Sequence, residues 1–275
     1  MQGTDLEKIE ASISTPRLNS YVQLTRSAED RAKLIYAYQW NKHVSSSIYP
    51  IIQCLEVSLR NAIHNAATNY HKTSSWFDSI TREAGHDLFK NDMKKHPHKR
   101  EEYYRKGVSK GSRKGFKPWT SYHENMVKKS KNKLYKEKKN QSADRIIAEL
   151  MFGFWVDIFT KPYHNINNER LWPNLEADVF PNLSPSERDH SEIYKKLKEI
   201  KNLRNRLSHH EPVWKTKSVV CPDTAIQYLN SVVGDMLDII QGISIERYQL
   251  LDESGHIDYF KEVCNKEKID EYLSK

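Results

Sequence analysis

The chain has 275 residues, a net charge of +8 with neutral histidines, and a hydrophobic content of 37%. This length can bury a substantial core, and we expect one domain over residues 1–275 that is elaborated by an insertion. No apolar run is long enough to span a membrane and no signal peptide is visible, so we expect a cytoplasmic protein that does not enter a membrane. The three cysteines, Cys54, Cys221 and Cys264, fit a reducing compartment and lack the spacing of a zinc site.

Helices are the predicted elements throughout, because apolar residues recur at steps of three and four and no segment alternates as strands do. Ser27, followed by Asp30 three positions later, predicts the start of a helix that ends near His43. A second helix should follow Pro50, because proline interrupts the interior of a helix. The sequence therefore predicts an all-α fold.

A polar row borders the apolar stripe of the helix after Pro50. Glu56, Arg60 and His64 follow one another at steps of four, and Asn61 is adjacent to Arg60. The row is either an intrahelical ion pair on a solvated flank, contributing about 0.2–0.5 kcal/mol, or part of a functional site. We favour the first interpretation for His64. Glu56 is the better candidate for a carboxylate that orients a functional group elsewhere in the chain.

Basic charge is concentrated in residues 91–141, which we interpret as an insertion of loops and short helices. Between Lys94 and Lys139 there are seventeen Lys or Arg against four acidic residues, a net +13, so the rest of the chain carries −5. Interleaved aromatic residues could stack on bases while the cations bind RNA phosphates. A solvated linker is the alternative, but disordered segments are usually poor in aromatics. The residues predicted to bind RNA are Lys94, Lys95, Lys99, Arg100, Arg105, Lys106, Arg113, Lys114, Lys117, Trp119, Lys128 and Lys129.

The segment from Ser142 to Thr160 predicts one helix that is apolar over much of its circumference. We interpret it as part of the core.

The next predicted helix starts near Ser186 and stops before Pro212, which cannot continue it. At about 100° per residue, Arg204 falls within the apolar stripe of this helix, so its guanidinium is aimed at the core or at an interface. Burying that charge without a partner would cost several kcal/mol, and an anionic group should therefore lie opposite it. A cluster of cations that only complements the helix dipole is the alternative, and it does not require a charge on the apolar stripe.

Histidines close this helix, and imidazole is the usual general acid or base. Asn205 and His209 are four residues apart and share a face, whereas Arg204 and His209 are separated by about 140° around an ideal helix. The two could converge if the helix loosens ahead of Pro212, or if a second copy of the motif completes a composite site. We favour the composite site. His210 could transfer the proton instead of His209, although the spacing favours His209.

Two further helical segments are predicted toward the end of the chain. Pro222 and Asp223 start a helix that should pack against the one bearing Arg204. An amphipathic piece near His256 to Leu273 lies within residues 245–275, which we interpret as a C-terminal helical extension.

Arg204, Asn205, three intervening residues and His209 resemble the arginine, polar residue, spacer and histidine signature of the HEPN superfamily of all-helical ribonucleases. The longer string through Trp214 resembles the Abi-like, or abortive infection, branch of that superfamily, as do residues 55–64 and 149–155. The similarity spans roughly residues 20–240. It implies a HEPN-like helical bundle, here with a basic insertion and extra C-terminal helices.

The resemblance also implies a function and a set of roles. It implies a homodimeric, metal-independent endoribonuclease toxin of an antiphage abortive-infection or toxin–antitoxin system, which needs no cofactor. Arg204 would bind the scissile phosphate, Asn205 would hold the imidazole or the substrate, and His209 would be the general acid or base. Glu56, Arg60, Asn61 and His210 would support them. A structured noncoding RNA or a small protein antitoxin would hold the toxin in check.

Two other classes of function stay open. One is a non-catalytic, regulatory RNA-binding protein in which the same arginine and histidine only grip phosphate. The other is a protein-interaction module whose helix end docks an acidic partner. Zinc chemistry through His209, His210 and Glu211 is disfavoured, because adjacent histidines do not easily chelate one ion from a helix.

Overall fold

A computed structural model of the chain describes residues 3–95, 122–164 and 170–275. Over those ranges it contains fourteen α-helices, one 3-10 turn and no strand, which confirms the predicted all-α class. The helices are α1 (Gly3–Ile13), α2 (Thr15–Asn19), α3 (Val22–Thr25), α4 (Arg31–His71), α5 (Trp76–Lys95), α6 (Tyr122–Lys136), α7 (Ala143–Glu149), α8 (Phe152–Asp157), α9 (Glu176–Val179), α10 (His190–Ser208), α11 (Pro222–Ile243), α12 (Ile245–Glu253), α13 (His256–Val263) and α14 (Lys266–Leu273).

The chain forms two compact units. The first comprises residues 1–59 with 180–275, and the second comprises residues 60–179. The single-domain organisation, the insertion at 91–141 and the extension at 245–275 stay predictions. Within the insertion, the structure describes the end of α5 and the whole of α6, and residues 96–121 lie outside the described ranges.

The two predicted helices on either side of Pro50 are one continuous helix, so the predicted interruption is wrong. α4 runs for 41 residues from Arg31 to His71 with Pro50 in its interior. Ile48, Ile51 and Leu55 on either side of the proline are fully buried, and Tyr49 is 56% exposed. An interior proline costs roughly 3 kcal/mol. The buried stripe continues through this point and offsets that cost. The carbonyl that loses its partner belongs to Ser46, which is an exposed residue.

The helix predicted from Ser142 to Thr160 is interrupted, so this prediction is also wrong in part. α7 ends at Glu149, and α8 begins at Phe152, because Leu150 and Met151 both adopt extended backbone angles. Leu150 and Phe152 are both almost completely buried, whereas Met151 is 63% exposed. The break lets the apolar residues on both sides of it face the core while Met151 stays exposed. A straight helix could not place these neighbouring side chains in this way.

Residues predicted at the end of the chain are helical as expected, with one more break. α11 starts at Pro222 and packs against α10, as predicted. The predicted amphipathic piece is two helices, because α13 ends at Val263 and Asn265 caps the start of α14, where its side chain accepts a hydrogen bond from the Lys268 N–H at 2.8 Å. Phe260 of α13 and Ile269 of α14 are buried, so this end of the chain belongs to the core of the first unit.

His64 is a buried core residue of the second unit and does not lie on a solvated flank, which corrects the interpretation that we favoured for it. Its side chain is 6% exposed, and its Nδ1 accepts a hydrogen bond from the Trp76 indole N–H at 3.1 Å. Burial lowers the pKa of the His64 imidazole below its usual value. A neutral ring is required to accept this bond, so His64 is not a candidate for phosphate binding.

Across the described ranges, no helix has the length and apolar character needed to cross a membrane.

Candidate functional site

α10 carries the Arg204–His209 motif and is built as an amphipathic helix with a defined start. The Asp189 carboxylate accepts a hydrogen bond from the Glu192 N–H at 2.9 Å and caps the first turn. Ile193, Leu197 and Leu203 are buried along one face. The predicted start near Ser186 is therefore four residues early, and the buried stripe is as predicted.

The motif ends in a left-handed helix cap. His209 is the last near-helical residue, and His210 has φ of +56°. The N–H of Glu211 donates to the carbonyl of Arg206 at 2.8 Å, and the N–H of His210 donates to the carbonyl of Leu207 at 3.2 Å. These two bonds satisfy carbonyls that would otherwise lack partners at a helix end. Glycine usually occupies the left-handed position, so His210 is a conformational exception with a structural task.

Two hydrogen bonds and a buried tryptophan fix the backbone at this cap and immediately after it. The Val213 N–H donates to Asn41 Oδ1 at 3.0 Å, and Trp214 is fully buried. Arg17 of α2 donates from Nη1 to the carbonyl of His210 at 2.7 Å. Neither Asn41 nor Arg17 was predicted from the sequence. Asn41 was detectable, because it is a polar residue in the buried stripe of α4, but Arg17 contacts only a backbone carbonyl and leaves no pattern.

Arg204 is paired with Glu56, which is the anionic partner that the helical pattern required. The Arg204 Nε donates to Glu56 Oε1 at 2.8 Å, and each side chain is 28% exposed. The guanidinium is therefore at the margin of the core and is not buried within it, which corrects the expected depth. At this exposure the pair contributes about 1 kcal/mol or less to stability. The arrangement positions Arg204 more than it stabilises the fold.

One of the five guanidinium N–H donors is used by Glu56. The Arg204 Nη groups make no hydrogen bond to any residue of the described ranges, so four donors in a planar fork remain available. That fork matches the geometry of a phosphate, which arginine binds through two parallel hydrogen bonds. Glu56 thus holds the guanidinium through Nε while leaving its two Nη groups without a partner in the described ranges.

Asn205 and His209 are exposed at the same helix end, and their side chains form no hydrogen bond within the described ranges. The His209 N–H donates to the Asn205 carbonyl at 3.0 Å, so the last turn keeps its helical hydrogen bond. The helix therefore does not loosen before His209, and the angular separation from Arg204 remains close to that of an ideal helix. Of the two explanations offered for convergence, the loosened helix is not what the structure adopts.

A tyrosine also fastens the motif turn to α11. The Tyr228 hydroxyl donates to Glu199 Oε1 at 2.6 Å and accepts from Arg206 Nη1 at 3.3 Å. Burial, and then the hydrogen bond with Glu199, raise the pKa of the Tyr228 hydroxyl well above its usual value. Arg206 is thereby held to α11, whereas Arg204 contacts Glu56 of α4. The contact between Arg206 and Tyr228 was not predicted from the sequence.

The remaining predicted residues lie in the second unit or outside the described ranges. Arg60 and Asn61 belong to the second unit, where Arg60 Nε donates to Asn61 Oδ1 at 3.2 Å. Lys94, Lys95 and Lys129 are exposed, and their proposed contact with RNA stays a prediction. Lys128 is paired with Glu124 of the same helix at 2.7 Å. The other residues predicted to bind RNA lie outside the described ranges: Lys99, Arg100, Arg105, Lys106, Arg113, Lys114, Lys117 and Trp119.

Fold and site together define an all-α protein with an accessible arginine and histidine at one helix end. The model of the Abi-like protein family matches residues 11–215, and the chain belongs to this family. The matched region includes α4 with Glu56 and all of α10 with Arg204 and His209. A search of curated proteins and a search of solved structures found no match.

Proposed function

We propose that this Abi-like protein is a metal-independent endoribonuclease of the HEPN type, acting as an antiphage abortive-infection toxin. The observation that carries the proposal is the Arg204–Glu56 pair, because it leaves the phosphate-binding edge of a guanidinium accessible beside a helix-terminal histidine. A residue that served only to complement the helix dipole would not need a carboxylate from another helix to hold it.

Arg204 would bind the scissile phosphate and offset the negative charge that grows on its oxygens in the transition state. Glu56 would keep the guanidinium from rotating away when the substrate is absent. Asn205 would orient the imidazole or the substrate. In this scheme the groups act by position and charge.

His209 would transfer protons in a reaction whose nucleophile belongs to the RNA. The 2′-hydroxyl loses a proton to a base and attacks the adjacent phosphorus, while the bond to the 5′-oxygen breaks and that oxygen gains a proton from an acid. The products are a 2′,3′-cyclic phosphate and a 5′-hydroxyl. Two proton-transferring groups serve this reaction best, and one motif offers one suitably spaced histidine.

A homodimer would supply the second group. The last turn of α10 keeps its hydrogen bond at His209, so Arg204 and His209 stay about 140° apart around the helix. Two motifs facing each other would place one arginine and one histidine from different chains on each side of a shared phosphate. We propose this composite site, in the cytoplasm, with a structured noncoding RNA or a small protein antitoxin as the restraining partner.

A regulatory RNA-binding protein without catalysis is the second candidate. It is favoured by the side chain of His209, which no hydrogen bond from the described ranges holds in place. Catalytic imidazoles are usually oriented by a neighbouring group. In this version Arg204 and His209 would bind phosphate and leave the strand intact.

Cleavage of labelled RNA in EDTA separates the two candidates. We expect the purified protein to cut RNA with EDTA present and to leave a 2′,3′-cyclic phosphate, because none of the proposed steps passes through a metal ion. The fragment ends are identified by phosphatase resistance before and after mild acid treatment. Binding without cleavage would support the regulatory candidate, and loss of cleavage in EDTA would contradict the proposed chemistry.

A further inference from the structure

The segment that follows the motif, residues 212–221, is an ordered loop of the first unit and is named here the post-motif loop. Its start is fixed by the hydrogen bond between the Val213 N–H and Asn41. Its middle is held by the Gln23 side-chain amide, which donates to the carbonyls of Thr216 and Val219. Its end is held because the Cys221 N–H donates to Thr224 Oγ1 at 3.1 Å. The backbone of this loop is thus fixed at three places.

Two exposed cations stand on this fixed backbone. Lys215 and Lys217 lie on either side of Thr216, and neither forms an ion pair or hydrogen bond through its ammonium group within the described ranges. Residues 212–222 contain no acidic residue. The nearest acidic residue before the loop is Glu211, and the next one after it is Asp223. The loop therefore presents uncompensated positive charge directly after the motif.

Some lysines of the same unit are paired, and others, Lys198 of α10 among them, have no ion pair within the described ranges, so what distinguishes Lys215 and Lys217 is their place on a fixed loop directly after the motif. Carboxylates lie within 4 Å of six lysines of this unit, in the pairs Lys195–Glu192, Lys196–Asp235, Lys261–Asp258, Lys266–Asp270, Lys268–Glu271 and Lys275–Glu271. An ammonium group with a carboxylate beside it loses much of its attraction for a further anion. Lys215 and Lys217 have no such neighbour within the described ranges and keep their attraction for an anion.

We propose that the post-motif loop is a second phosphate-binding subsite, in which Lys215 and Lys217 hold backbone phosphates of the RNA that flank the scissile one. This inference rests on the proposed function, because it takes RNA as the ligand of the motif. It assigns the substrate a direction across the first unit, from the end of α10 toward the start of α11. Substrate recognition then does not depend on the basic insertion alone.

The chain length between the motif and the loop limits how far apart the two sites lie. Lys215 is six positions after His209, so their Cα atoms are at most about 20–22 Å apart. A stacked strand carries a phosphate roughly every 3.4 Å, so that span corresponds to at most about six nucleotides. A dinucleotide that holds only the scissile phosphate cannot reach both sites, whereas a strand of about twelve nucleotides can.

The test compares the double variant Lys215→Ala/Lys217→Ala with a control that removes the same charge. The control is Lys195→Ala/Lys261→Ala, whose lysines are exposed and paired with neighbouring acids. The probe is a single-stranded RNA of about twelve nucleotides with 2′-O-methyl groups, which block cleavage while leaving the phosphates in place. Its Kd is measured at several salt concentrations, and cleavage of an unmodified dinucleotide is measured in parallel.

The slope of log Kd plotted against the logarithm of the salt concentration should become smaller by about 1.4 when two phosphate contacts are lost. The ratio of Kd at 200 mM salt to Kd at 50 mM salt should then fall by about 7-fold in the loop variant and stay at the wild-type value in the control. Dinucleotide cleavage should be the same in all three proteins. A salt slope equal to that of wild type in the loop variant would overturn the subsite.

Failure of the two proposals gives different results. If the wild-type protein binds the RNA but cuts no substrate, a weaker salt slope in the loop variant still supports the subsite, and the ribonuclease proposal alone falls. If the wild-type protein cuts RNA and the loop variant keeps its full salt slope, the subsite alone falls. Absence of any RNA binding by the wild-type protein overturns both.

Discussion

Arg204→Ala should reduce RNA cleavage by about 10²- to 10³-fold, the loss typical when one group that stabilises transition-state charge is removed. The substitution removes the four free guanidinium donors and leaves Glu56 near the vacated position, where a carboxylate repels phosphate. Because both side chains are 28% exposed, the free energy of unfolding should change by about 1 kcal/mol or less. Single-turnover cleavage rates and thermal melts of the same preparations check both expectations.

Lys198→Ala is the matched control for this variant. Lys198 is exposed on the same helix, and its ammonium group has no ion-pair partner within the described ranges, so its removal changes the net charge equally. The control should cut RNA at the wild-type rate. Arg204→Lys keeps the charge but loses the planar fork, and its rate should fall between those of wild type and Arg204→Ala. Full activity of Arg204→Ala would remove Arg204 from the site.

His209→Ala should strongly reduce RNA cleavage and His210→Gly should leave it nearly unchanged, although the two residues are adjacent. His209→Ala removes the proposed proton-transferring group and should lower kcat by about 10²- to 10⁴-fold. His210→Gly places glycine where φ is +56°, a conformation that glycine adopts without steric cost. The cap and the carbonyl that accepts from Arg17 should both persist, so the melting temperature should stay the same or rise.

The pair of variants decides which histidine carries the proton. Cleavage kinetics should show His210→Gly close to wild type and His209→Ala strongly impaired, with both proteins folded by circular dichroism. The reverse pattern, an active His209→Ala and an inactive His210→Gly, would transfer the role to His210.

Helical periodicity predicted the parts of the site that depend on one helix. The stripe of α10 and the need for an anion opposite Arg204 both follow from residue spacing. Residue spacing also indicated Glu56 as a candidate partner for Arg204, because Glu56 lies in a polar row of another helix. It could not show that the two helices meet, because the tertiary contact joins residues 148 positions apart.

Local rules failed where burial outweighed them. Proline normally ends a helix, but the fully buried residues around Pro50 hold α4 together through it. Between α7 and α8 neither glycine nor proline marks the break, which arises because Leu150 and Phe152 both turn inward. Arg17 left no trace in the sequence because its partner is a backbone carbonyl, which every residue has.

The central claim is that the Arg204–His209 motif is half of a shared ribonuclease site. The direct test is a heterodimer purified by two different tags, in which one chain carries Arg204→Ala and the other carries His209→Ala. One intact arginine and one intact histidine then remain on different chains. We predict that this heterodimer cuts RNA in EDTA more slowly than wild type, because it keeps one of the two proton-transferring histidines, but at least about tenfold faster than either homodimeric variant, which lacks both arginines or both histidines. A purified heterodimer as inactive as its parent homodimers would contradict the shared site.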